Sequence, residues 1–85
     1  MSSDEIRLRI KEAISEIAGI AIERIRDDAR FIEDLGLDSL AIIESLVVVE
    51  HDLRLQPSDG DSEVKVHCVE DAVQLVQVQL RRKAG

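Results

Sequence analysis

Aromatic side chains are nearly absent from this chain: Phe31 is the only one, and there is no Trp or Tyr. A core without them must be filled by Ile, Leu, Val and Ala, which suits packed helices better than a sheet built on large side chains. Cysteine is equally scarce. Cys68 stands alone, so an intramolecular disulfide is excluded and a reducing compartment is the natural setting. No apolar run approaches the roughly 18–20 residues needed to cross a bilayer, and the start MSSDEIRLR lacks the apolar centre of a signal peptide. The expectation is a cytoplasmic protein. Positive charge is in deficit: 11 Lys and Arg face 18 Asp and Glu, a formal net charge of -7. Such a chain repels phosphate backbones and anionic lipid, so nucleic-acid binding and membrane insertion are not expected, whereas basic protein partners are.

Catalytic sets are also missing. The two histidines, His51 and His67, and Cys68 show no zinc-site spacing, and adjacent residues such as His67 and Cys68 on a helix point about 100° apart. His67 with Cys68 reads as a loop histidine beside a small, partly buried thiol, and Glu33 with Asp34 as solvated surface. GLDSL lacks the spacing and the lysine of a phosphate-binding loop. No catalytic or metal-binding residue is expected.

What is present is helical pattern. With 85 residues the chain has room for one domain, residues 1–85, and a chain this short buries only about 60–65% of its unfolded surface. Residues 3–18 carry Ile6, Ile10, Ala13, Ile14 and Ile17 on one face, with Ser3 as the expected cap, Asp4 and Glu5 in the first turn, and Gly19 as the stop. Leu8 falls off that stripe and is expected at the surface. A connection of about twenty residues follows, too rich in apolar residues (Ile20, Ile22, Ile25, Phe31, Ile32, Leu35, Leu37) to be a flexible linker. It predicts an ordered loop with a helical turn around residues 21–26.

A helix is predicted over residues 39–53 with Asp38 near its N-cap. Ile42, Leu46, Val49 and Leu53 share its core face. A second apolar set, Leu40, Ile43 and Val47, lies well over 100° away and is expected to be partly exposed. Beyond it, Pro57 and Gly60 mark a loop in which Ser58 could cap a short helix through about Val64. A last helix over residues 69–82 carries Val69, Ala72, Val73, Val76 and Leu80 as its stripe, with acids in its first turn and Arg81, Arg82 and Lys83 in its last. The fold class is therefore all-α: a small four-helix bundle of three main helices plus a short third one, with a long ordered loop between helices 1 and 2.

Ser39 is the residue that this plan singles out. A serine at a helix start is commonly just a cap. This one follows an ordered loop, adjoins Asp38, and opens a helix whose second apolar stripe has no partner inside the bundle. Its hydroxyl would be accessible, and a phosphate ester on it would lie at the positive end of the helix dipole.

The run Phe31-x-x-Asp34-Leu35-Gly36-Leu37-Asp38-Ser39-Leu40, leading into an apolar and acidic helix, resembles the acyl carrier proteins. The resemblance implies a non-catalytic protein whose serine, Ser39, flanked by Asp38, receives covalent 4′-phosphopantetheine from coenzyme A through a separate phosphopantetheinyl transferase. The arm's thiol would hold acyl groups as thioesters for acyl-loading, synthase and transferase enzymes with basic docking patches, the carrier itself being a monomer. Docking on such patches would use Leu40, Ile43, Glu44, Val47 and Glu50, with Asp38 beside them. Ile42, Leu46, Val49, Val73 and Val76 would line a cavity between the helices for an acyl chain. Ser45, at the edge of that arc, reads as a helical serine satisfied by the backbone. Three features depart from the fatty-acid-synthesis pattern: Ala41 directly after D-S-L, His51 and Arg54 interrupting the acidic run, and the atypical segment 55–66. They set the chain apart from a housekeeping fatty-acid carrier and fit a carrier dedicated to a polyketide, a specialised lipid or an amino-acid-loading pathway, while the D-S-L signature leans toward acyl over peptidyl carriers. The reading taken is a specialised lipid or polyketide pathway, with a housekeeping fatty-acid carrier or an aminoacyl or peptidyl carrier as alternatives. From another class, an unmodified helical interaction module would use the same helix face.

Overall fold

The structure, a computed structural model, describes residues 1–55 and 66–84. Among them three helices form, α1 Ser3–Ala18, α2 Ser39–Asp52 and α3 Val69–Ala84, with one 3₁₀ turn at Ile22–Arg24. No strand forms among the described residues, although Arg30 and Cys68 make an isolated antiparallel bridge. The short helix expected near residues 58–64 lies outside the described residues.

Helix α1 is the central packing element, since it lies against both α2 and α3. Its stripe does what the spacing requires: Ile6, Ile10, Ala13 and Ile14 are buried. Ile17 is only half-buried because it lies in the last turn, and Leu8 stands at the surface as expected. The cap differs from expectation by one residue. Ser2, not Ser3, accepts from the Glu5 N–H at 3.2 Å, while the Ser3 hydroxyl accepts from Gln77 on α3. Gly19 ends the helix at φ 70, a left-handed position that glycine adopts without a Cβ penalty.

The long connection is ordered by its apolar residues. Ile25, Phe31 and Leu37 are buried, and Ile20 and Leu35 pack against the core. Ile32 is the exception at 56% exposure: the tight turn that buries Phe31 on one side throws its neighbour outward. Helix α3 buries Val69, Ala72, Val73 and Val76, with Leu80 only half-buried. Its Gln79 is buried instead, donating to Glu50 of α2, and Lys83 donates to the Leu53 carbonyl at the end of α2 at 3.1 Å. A polar clasp on the far side of the core therefore joins α2 to α3.

Arg7 joins three parts of the chain. Its guanidinium donates twice to Glu70 of α3 at 3.0 Å, donates to Asp4 at 2.9 Å, and lies 4.0 Å from Asp27 in the loop. The hydrogen bond to Glu70 holds Arg7 protonated, above its ordinary range.

Candidate functional site

The site is the turn that delivers the chain into α2. Ala29, Phe31 and Leu37 are buried on the core and fix its two ends. Between them the backbone closes on itself: the Asp34 and Leu35 N–H groups donate to the Arg30 carbonyl at 3.1 and 3.2 Å, and Leu37 donates to Phe31 at 2.9 Å. Gly36 stands at φ 68, the second position where a side chain would strain the backbone. A second set of bonds ties the turn to the chain just ahead of α3, where Phe31 donates to the His67 carbonyl at 2.9 Å and Val69 to the Ala29 carbonyl at 3.0 Å.

Asp34 locks this turn from within. One carboxylate oxygen accepts from the Arg30 backbone N–H at 2.8 Å and from Nε at 3.2 Å, and the other accepts from the Arg30 guanidinium at 3.2 Å. The side-chain bond to Arg30, seconded by the backbone bond, holds the Asp34 carboxyl below the usual carboxylate range. Arg30 is raised by the same contact. This carboxylate is an acceptor already engaged twice over, which suits a positioning role and not proton transfer.

Asp38 begins α2 as expected. Its backbone is extended at φ -93 and ψ 174, its carbonyl accepts the first helical bond from Ile42 at 3.1 Å, and its side chain accepts from the Ala41 N–H at 2.8 Å. Ser39 follows as the first helical residue and is exposed. The N–H groups of Ser39 and Leu40 have no hydrogen-bond partner among the described residues. Ser39 thus stands exposed at the positive end of a helix, next to two open donors, an environment that favours negative charge.

The outer face of α2 is apolar near this point. Leu40 is 63% and Val47 50% exposed, Ile43 is half-buried beside them, and Glu44 is exposed. Glu50 does not belong with them. It is 4% exposed and accepts from Gln79, because it lies four residues after Leu46 and eight after Ile42, in the row that faces the bundle. The same counting puts His51, four residues beyond Val47, exposed on the outer row, and Arg54 is exposed just after it.

Ile42, Leu46, Val49, Val73 and Val76 come together in the core, none more than 7% exposed. Ser45 is buried there as a satisfied helical serine, donating to the Ala41 carbonyl at 2.9 Å. His67 is exposed and Cys68 half-buried, and no group of three metal-ligating side chains forms among the described residues. A groove of about 490 Å³ beside the turn holds Arg24, Arg26 and Arg30 against Asp28, Glu33 and Asp34. Two of its pairs, Arg26 with Asp28 and Arg30 with Asp34, neutralise each other across the groove. Among the described residues no helix is long and apolar enough to cross a membrane.

Comparison with known proteins covers most of the chain. Residues 8–63 match a family profile described as a phosphopantetheine attachment site. A protein of Buchnera aphidicola subsp. Schizaphis graminum, named acyl carrier protein, is 33% identical over 73 residues, spanning 86% of this chain and 91% of its own. Another of that name from Chloroherpeton thalassium is 34% identical over 76 residues, covering 89% of this chain and 94% of the relative.

Proposed function

We infer the function from one premise: this chain belongs to the acyl carrier protein family, so it is a non-catalytic carrier that bears covalent 4′-phosphopantetheine. We propose Ser39 as the attachment point. The observation that carries this reading is an exposed hydroxyl on the first residue of α2, under the Asp38 cap and beside two open N–H groups. When bound, the arm supplies a thiol that holds acyl groups as thioesters, and tethering raises their effective concentration at each enzyme that the carrier visits. The protein's own part is to hold Ser39 outward, to fix the turn through Asp34 and Arg30, and to present the α2 face to partners.

On this reading the partners are a phosphopantetheinyl transferase and acyl-loading, synthase and transferase enzymes, which dock on Leu40, Ile43, Glu44 and Val47. The carrier works as a monomer in the cytoplasm. The acyl chain is received between α2 and α3 by Ile42, Leu46, Val49, Val73 and Val76. A specialised lipid or polyketide pathway is favoured over housekeeping fatty-acid synthesis, because His51 and Arg54 stand exposed where an acidic run would continue and Glu50 is turned inward.

Co-expression with a broad-specificity phosphopantetheinyl transferase tests the attachment point. The intact chain should gain the mass of one phosphopantetheine, and Ser39→Ala should abolish the gain while costing only about 1 kcal/mol of stability or less. An unchanged mass with several such transferases, or a gain that survives Ser39→Ala, refutes the assignment.

A further inference from the structure

The outer row of α2 changes sign along its length. At about 100° per residue, Leu40, Glu44, Val47 and His51 fall within an arc of about 60°. Asp38 caps the N-terminal end of the helix, and exposed Arg54 follows just beyond its C-terminal end. Lys83 donates to the Leu53 carbonyl at 3.1 Å, which brings the basic last turn of α3 to the same end. Two facts keep that end cationic. Glu50 is turned into the bundle at 4% exposure, and exposed Asp52 lies about 110° round the helix from the row's centre. Arg54 forms no ion pair with any described residue. In a chain of net charge -7, exposed cations without an ion pair among the described residues form a distinct feature of the surface.

Building on the carrier reading, we propose that this row docks on a protein surface of mixed sign. The partner presents cations opposite Asp38 and Glu44, an apolar strip for Leu40, Ile43 and Val47, and carboxylates opposite Arg54 and Lys83. Opposite charges at the two ends fix the direction in which the helix lies on its partner, and so where Ser39 arrives. A patch that is basic throughout juxtaposes like charges at the far end, which slows encounter and selects against it.

The probe is a broad-specificity phosphopantetheinyl transferase whose carrier-facing patch is basic throughout, together with a variant of it whose far-end cation is replaced by Glu. kcat/KM for modification of the apo chain is measured for wild type, Arg54→Glu, and Arg54→Glu with Lys83→Glu, each checked for helix content. With the basic transferase the two charge-reversed carriers should be about three- to tenfold better than wild type at low salt, as expected for one or two exposed charge pairs, with the gap closing at high salt. With the Glu variant the order should reverse. Because Lys83 also holds the end of α2, Arg54→Glu alone decides the matter if the double variant loses helix content. Rates that stay within about twofold for every carrier on both transferases overturn the proposal. Failure of any chain to gain the arm would instead count against Ser39 as the attachment point, so the two outcomes are separable.

Discussion

Arg54 occupies φ 56, where a Cβ crowds the following carbonyl at a cost of roughly 1–2 kcal/mol. The position is imposed by the end of α2, where Leu55 donates to the Glu50 carbonyl at 2.8 Å and Arg54 to His51 at 3.2 Å, a closure that helices commonly make with glycine. Arg54→Gly should relieve that strain, less about 0.4–1 kcal/mol for the freer unfolded chain, leaving a net gain near 0.5–1 kcal/mol. Thermal denaturation should show a rise of a few degrees for a domain of this size. An arginine at this strained position agrees with the role proposed above for its charge at the surface. Glu50 is the opposite case, a charged residue kept inside the bundle by the amide of Gln79. Glu50→Ala withdraws a buried acceptor and should cost about 1–3 kcal/mol in urea unfolding, whereas substitution of exposed Glu44 should stay within about 0.5 kcal/mol.

At the scale of elements, the three helices were legible because each carries an apolar stripe of 3.6-residue period, with a serine or aspartate cap at the start of α1 and α2 and acids in the first turn of α3. The caps Asp38 and Gly19 and the core residues Ile6, Ile10, Leu46 and Val73 stand where that period puts them. Two things escaped it. The pairing of residues 29–31 with 67–69 consists of backbone bonds, which leave no side-chain pattern to read. Glu50 was placed outside by its charge, although its row with Ile42 and Leu46 runs inward. The motif around Ser39 was legible as a sequence, but the reason that Asp34 belongs to it appears only in the fold, where it closes the turn on Arg30. This contact sets a pH dependence. Because the Asp34 carboxyl titrates lower in the folded chain than when unfolded, its contribution is complete above about pH 4 and disappears as pH falls through the depressed folded value. Asp34→Asn should therefore be less stable than wild type at pH 7, and the two urea midpoints should converge as pH falls through the depressed folded value. A constant gap across that range would mean that Asp34 acts through packing alone.

For the whole molecule, on the carrier reading proposed above, a small aliphatic core must pack tightly enough to fold and, if cargo enters it, loosely enough to admit that cargo. The chain has about 4–13 kcal/mol of stability available at its length, by the usual 0.05–0.15 kcal/mol per residue. Its core lies between α1 and the other two helices, and the α2–α3 side is joined by the Glu50–Gln79 and Lys83–Leu53 contacts. Ile42, Leu46 and Val49 on one helix and Val73 and Val76 on the other are therefore the side chains that an entering acyl chain would displace or touch. Leu46→Ala removes buried volume there and should cost about 2–5 kcal/mol in the unloaded protein. If the cargo inserts between α2 and α3, an aliphatic acyl chain on the arm refills that space, so the loss should be smaller in the loaded form. Comparing urea midpoints of wild type and Leu46→Ala, each with the arm bare and with an eight-carbon acyl thioester on the arm, reads this out directly. An equal loss in both forms would place the acyl chain outside the core and leave Val73 and Val76 as packing residues only.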